Sequence, residues 1–134
     1  MKTYIIIGAL LSALGIALGA FGSHSLKTKL NPEELVIYDI ATRYLMYHAI
    51  GIISLGILAY NVPESVVAMP IIIMLIGIVL FSGSLYLISI KGYTKLGIIA
   101  PLGGTAFIVS WVFCSCCISS DCFCKLYFTI ISFN

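Results

Sequence analysis

Charge is what this chain has least of. Charged residues make up 9% of it, and only five of its 134 residues are acidic. A soluble domain carries about a quarter charged residues, so water is excluded as the solvent for most of the surface. None of the long apolar runs has an Asp or Glu in its interior. That counts against a proton-coupled pump or a small four-helix multidrug exporter, which need a carboxylate inside the membrane. A basic stripe is also missing. The net charge of +2 is too small to neutralise many phosphates, so a nucleic-acid partner is not expected. Catalytic motifs are lacking too: GxxxxGK[ST], GxSxG and HExxH do not occur, and no nucleophile stands beside a base at a suggestive spacing. The expectation is a protein that is not an enzyme, with no catalytic residues, no resident metal and no cofactor. Cysteine is absent from the first 113 residues, and no low-complexity linker divides the chain. A single domain over 1–134 follows.

What is present is hydrocarbon, at 61% of the residues. Four apolar runs have the length needed to cross a bilayer, about 20 residues each. They are Tyr4 to about Gly22, Ala41 to Tyr60, Val66 to Ile90, and Leu96 to about Ile118. Backbone polar groups in lipid need internal partners, which makes such runs helices. The fold class is therefore an all-α integral membrane protein, with four transmembrane helices arranged as two helical hairpins in a bundle. The start of the chain imitates a secretory signal, with Lys2, an apolar run and AFGS at 20–23. The run exceeds the 7–15 residues of a signal core, and three more spans follow, so it reads as a span.

Local signals place the boundaries. NPEE at 31–34 is a capping box, with Asn31 as N-cap, Pro32 first in the helix and Glu34 three residues after the cap. The second helix should then begin at Pro32, before its apolar run. Turns are expected at NVPES (61–65) and KGYTK (91–95), the latter with Gly92 as a helix C-cap. Pro70 and Pro101 fall near the starts of spans three and four, where proline costs least. Of the seven Lys and Arg residues, Lys27, Lys29, Arg43, Lys91 and Lys95 flank the connections after spans one and three, leaving Lys2 and Lys125 opposite. The positive-inside rule then puts connections 23–40 and 91–95 in the cytoplasm and both termini outside.

Candidate functional residues gather in ATRYLMYHAIG (41–51) and just around it. At i, i+4 spacing Asp39, Arg43 and Tyr47 share one helix face, as do Tyr44 and His48. Arg43 and the tyrosines suit an interfacial anchor. His48 lies about a turn deeper, where an ionisable group usually faces a partner or a cavity. His24, at the end of span one, should lie on the same membrane side. With Asp39 the two histidines would make at best a weak metal set, since zinc takes three or four ligands. Small residues at Gly8, Ser12, Gly15 and Gly19, in FSGSLYL (Ser82, Gly83, Ser84), and in PLGGTAF (Gly103, Gly104) suit close helix packing in lipid, or else a lined pathway or a homodimer face.

The composition breaks after Trp111. All five cysteines lie between 114 and 124, in CSCCISSDCFC. Three readings stand: a frameshifted or recently diverged C-terminus, a soft-metal or redox site, and passive membrane cysteines. The abruptness of the break favours the first.

GAFGSHSLK (19–27), YDIATRYLMYHAIG (38–51), FSGSLYL (81–87) and LGIIAPLGGTAFIVSW (96–111) occur in order. Together they resemble the YgdD/YwdK-like family of small bacterial inner-membrane proteins, which has a eukaryotic relative called transmembrane protein 256. The resemblance spans about residues 1–111 and leaves 112–134 as an atypical Cys-rich tail. It implies a four-helix membrane protein of the bacterial cytoplasmic (inner) membrane and supplies no activity. The matching residues are His24, Asp39, Arg43, Tyr47, His48, Ser82, Gly83, Ser84, Pro101, Gly103 and Gly104. Ser23 departs from an Ala the family favours.

Two functions from different classes fit. The first is a non-enzymatic membrane component, a scaffold, assembly or stress-related partner, whose surroundings are the lipid bilayer and either a second copy or another membrane protein. The alternative is a small-solute or ion permease, oligomeric or not, with His48 and Arg43 at a cytoplasmic vestibule.

Overall fold

Each boundary of the fold follows from a local device or from the end of an apolar run. A computed structural model describes the backbone of residues 1–132 and the side chains of residues 1–119. Helix α1 runs Lys2–Phe21 and widens into a π-turn over Gly22–Leu26. Helix α2 runs Pro32–Leu58. Its start is the reciprocal cap: Asn31 Oδ1 accepts from Glu34 N–H, and Glu34 Oε2 accepts from Asn31 N–H, each at 2.9 Å. Helix α3 runs Glu64–Lys91 and stops at Gly92, whose φ of 69° is open to glycine without penalty. A 3₁₀ turn, Thr94–Ile98, leads into α4, Ile99–Ser132.

Two boundaries differ from the sequence expectation. Because α3 already begins at Glu64, Pro70 lies in its second turn, not its first. There the ring does remove an N–H that the carbonyl of Val66 would otherwise receive. Helix α4 also continues well past Ile118, so the change of composition after Trp111 does not end it.

Consecutive helices pack on one another, giving the hairpins α1–α2 and α3–α4 joined through α2 and α3. Among the described residues these four helices are long and apolar enough to cross a membrane. The core lies along the middle pair, with Ile52, Val67, Ile71 and Met74 fully buried. The outer faces of α1 and α4 present Leu10, Ile16, Ile108 and Val112 outward, as suits lipid. The Met1 amino group lies 3.4 Å from the Glu64 carboxylate. The N-terminus and the 61–65 turn thus share one end of the bundle.

Hydroxyls stitch the seams. Tyr38 donates to Leu18 O across α1–α2 at 2.9 Å. Ser82 donates to Ala41 O at 2.9 Å and Ser89 to Glu34 O at 2.8 Å, both across α2–α3. Ser110 donates to Pro70 O across α3–α4 at 2.7 Å. Glycine lets backbones close at particular points. A Cβ on Gly8 would lie 2.8 Å from Ala49 O, and one on Gly103 would lie 2.4 Å from Phe81 N.

Candidate functional site

Helix α2 carries most of the candidate residues and divides them between two faces. Asp39, Arg43 and Tyr47 follow one another at four-residue intervals along its outer surface. The Asp39 carboxylate pairs with the Arg43 guanidinium, both side chains more than half exposed. Tyr47 is exposed just beyond them. An ion pair this open is worth only about 0–1 kcal/mol, so it orients two side chains more than it holds the fold. His24 stands on the π-turn, exposed.

His48 faces the opposite way, inward. It is 6% exposed. Its Nδ1 lies 2.8 Å from the Tyr44 carbonyl. A carbonyl can only accept, so Nδ1 carries the proton and the neutral ring keeps its lone pair on Nε2, at the edge away from the α2 backbone. The imidazole lies flat on Phe107, with ring centroids 3.5 Å apart and planes 12° apart. Tyr44, Phe81 and Phe107 crowd the same place, Tyr44 and Phe81 being 4.6 Å apart between centroids. Together with Gly104 and Trp111 they line a cavity of about 460 Å³. Arg43 is not among its walls.

A second cavity, of about 430 Å³, opens at the π-turn between α1 and α2. Its walls include Ser23, Lys27, Tyr38, Asp39 and Thr42. Thr42 Oγ1 donates to Tyr38 O at 3.1 Å and is 2.9 Å from Tyr86 Oη. With the Thr42 proton spent on the carbonyl, Tyr86 must donate to Thr42. Among the described residues no three His, Cys, Asp or Glu side chains gather as a metal set. His24, Asp39 and His48 therefore do not converge.

The small residues also separate. Gly8 and Gly103 stand at close backbone approaches, while Gly15 meets the flexible Met46 side chain and Gly19 makes ordinary contact with Thr42. Gly83 has open space around it, and Gly104 only touches the Phe81 ring. Ser82 crosses to α2, whereas Ser12 and Ser84 turn back on their own helices. Cys114 is buried against the core. Cys122 and Cys124 lie outside the described side chains, and so does any ligation by the whole tail. Sequence reading missed Tyr38, Thr42, Tyr86, Ser89 and Ser110, and Gly56, where a Cβ would lie 3.1 Å from Ile5 N on α1. The available signal was a lone hydroxyl or glycine inside an apolar run.

The arrangement agrees with what the chain resembles in sequence. Residues 18–104 match the family described as Protein of unknown function (DUF423). The chain belongs to the DUF423 family. It is 43% identical over 113 residues to the UPF0382 membrane protein YwdK of Bacillus subtilis (strain 168), covering 84% of this chain and 92% of that protein. A UPF0382 membrane protein of Staphylococcus saprophyticus is 39% identical over 112 residues, 84% of this chain and 92% of the relative. One from Staphylococcus epidermidis is 38% identical over 112 residues, 84% of this chain and 91% of the relative. No solved structure matches. This DUF423 protein is thus an all-α integral membrane protein of four transmembrane helices in two hairpins, from a family of unknown function. The matched region runs from Leu18, which receives the Tyr38 hydroxyl, to Gly104 on the His48 cavity wall.

Proposed function

We propose that the protein is a non-enzymatic component of the bacterial cytoplasmic membrane, acting as a scaffold or assembly partner through the outward stripe Asp39–Arg43–Tyr47 of α2 and the exposed His24 on the π-turn. One observation carries this reading. The hydroxyls buried in the described spans, those of Thr42, Ser82, Ser84, Ser89 and Ser110, give their protons to main-chain carbonyls. Ser82, Ser89 and Ser110 thereby fix helix against helix, Thr42 and Ser84 bond within their own helices, and no activated nucleophile is left. The charged side chains left for a protein partner are those on the outside, at headgroup depth. Of the small-residue positions, Gly8, Ser82 and Gly103 serve packing between helices. Connections 23–40 and 91–95 face the cytoplasm and both termini face out, on the strength of the Lys and Arg distribution.

The test has two arms. A photo-crosslinking residue at Tyr47 should give a discrete adduct with a membrane protein, abolished by Arg43→Ala. The same residue at lipid-facing Leu10 should give none. In proteoliposomes the protein should pass no solute above the empty-vesicle rate. Flux that is present in the wild type and lost in His48→Ala, but not in Leu10→Ala, would replace this reading with a permease.

A further inference from the structure

The His48 cavity has a chemistry of its own, independent of the proposed docking stripe. Its walls are aromatic, from Tyr44, Phe81, Phe107 and Trp111, and His48 sits among them nine-tenths buried. The Nδ1–H is spent on the Tyr44 carbonyl. Among the described residues Nε2 has no hydrogen-bond partner, and a buried acceptor without a donor is costly. The ring cannot turn to relieve this, because the Tyr44 bond and the stack on Phe107 hold its plane. Ile108, Trp111 and Val112 form the outer part of the wall and are exposed on α4. The cavity therefore opens sideways, toward hydrocarbon, and its volume of about 460 Å³ falls in the range of small-molecule sites.

We propose that this cavity binds a lipid-soluble aromatic alcohol, a phenol-type ring whose hydroxyl donates to His48 Nε2. Three features select that class. The opening admits only what dissolves in the membrane. The flat walls favour an aromatic ring, which can stack offset or edge-on. The lone pair on Nε2 requires a hydrogen-bond donor, which excludes an acyl chain, an ether or a quinone carbonyl as the preferred occupant. A charged phenolate is excluded as well, because it offers no proton.

The protein supplies its own reporter. Trp111 is the only tryptophan in the chain, and it lines the cavity. A bromine atom brought into contact quenches its emission. The probes are 4-bromophenol and 4-bromoanisole, which differ in the hydroxyl proton, added to the full chain in nanodiscs at neutral pH. The expected result is saturable quenching by bromophenol, with bromoanisole binding about 3–10-fold more weakly, the value of one neutral hydrogen bond. In His48→Phe, which keeps a ring on Phe107 but has no acceptor, the preference should vanish. This variant also corrects for unequal partition of the probes into lipid. Gly104→Val, which puts bulk into the cavity, should abolish saturation and needs no change at His48. Equal quenching by the two probes in the wild type overturns the proposal and leaves a cavity filled by lipid tails. Quenching that never saturates overturns it too, as does a hydroxyl preference that survives in His48→Phe.

Discussion

Gly103 and Gly104 are neighbours in sequence, yet a methyl group should act on them in opposite directions. A Cβ on Gly103 would lie 2.4 Å from Phe81 N, 2.7 Å from Phe81 Cβ and 2.8 Å from Phe81 Cα. Carbon contacts are comfortable at about 3.5–4.0 Å, so α4 would have to move away from α3 by roughly 1 Å. Two of the three clashing atoms are backbone, which no rotamer change can relieve. Overpacking of this kind costs about 1–3 kcal/mol, against a helix gain of about 0.5–1 kcal/mol for replacing glycine. Gly103→Ala should therefore lose roughly 1–2 kcal/mol. A Cβ on Gly104 meets only the Phe81 ring, at 3.7 and 3.8 Å. Gly104→Ala should be neutral or gain up to about 1 kcal/mol. Reversible unfolding in mixed micelles with increasing SDS, followed by Trp111 emission, measures both. The move of α4 should also loosen the Phe107–His48 stack, which ties α4 to α2. If Gly103→Ala is as stable as Gly104→Ala, the close α3–α4 approach is wrong.

Other outcomes follow from single contacts. Ser82→Ala removes the bond to Ala41 O and should cost about 0.6 kcal/mol, at most about 1.7, in the same unfolding assay; a loss above 3 kcal/mol would mean Ser82 does more than bridge. Asn31→Ala breaks the capping box and should cost about 1 kcal/mol, seen as faster hydrogen exchange over residues 34–37, while unchanged exchange would deny the cap a role. Arg43→Ala should shift stability by less than about 1 kcal/mol, because its partner pair is exposed; a larger loss would place Arg43 inside the protein. A biotin-acceptor tag inserted at 92–94 should be modified by a cytoplasmic ligase and one at 61–63 should not, the reverse pattern inverting the orientation.

The sequence is most informative where structure is local or where lipid sets the rule. Long apolar runs without charge had to be helices. The Asn31 box and Gly92 cap fix their own boundaries without help from distant residues. Pro70 is misplaced from sequence because the helix start depends on Pro63 and Glu64, which sit in a polar turn with no strong cap. The site is legible only in part. Four-residue spacing aligns Asp39, Arg43 and Tyr47, and separately Tyr44 and His48, and the structure keeps both alignments. Spacing cannot say which alignment turns inward, since that depends on Phe81 and Phe107 from α3 and α4. Tyr38, Tyr86, Ser89 and Ser110 escape for a related reason. Their partners are main-chain carbonyls or single hydroxyls far along the chain, and an isolated hydroxyl in an apolar run leaves no pattern.

The neighbour-on-neighbour order of the helices bears on how the chain is made. Each helix after the first packs on the one emerging just before it, and α1 needs nothing extensive beyond α2. Contacts of short sequence separation form early and demand little loop closure. The first hairpin can settle while α3 is still being synthesised, with Tyr38 already reaching back to Leu18 O. The second hairpin then docks as a unit, and Ser82 and Ser89 find carbonyls on α2 that are already fixed in place. The contact pattern thus favours biogenesis in the order of translation, in which an interruption after α2 would leave a paired fragment in place of a lone span.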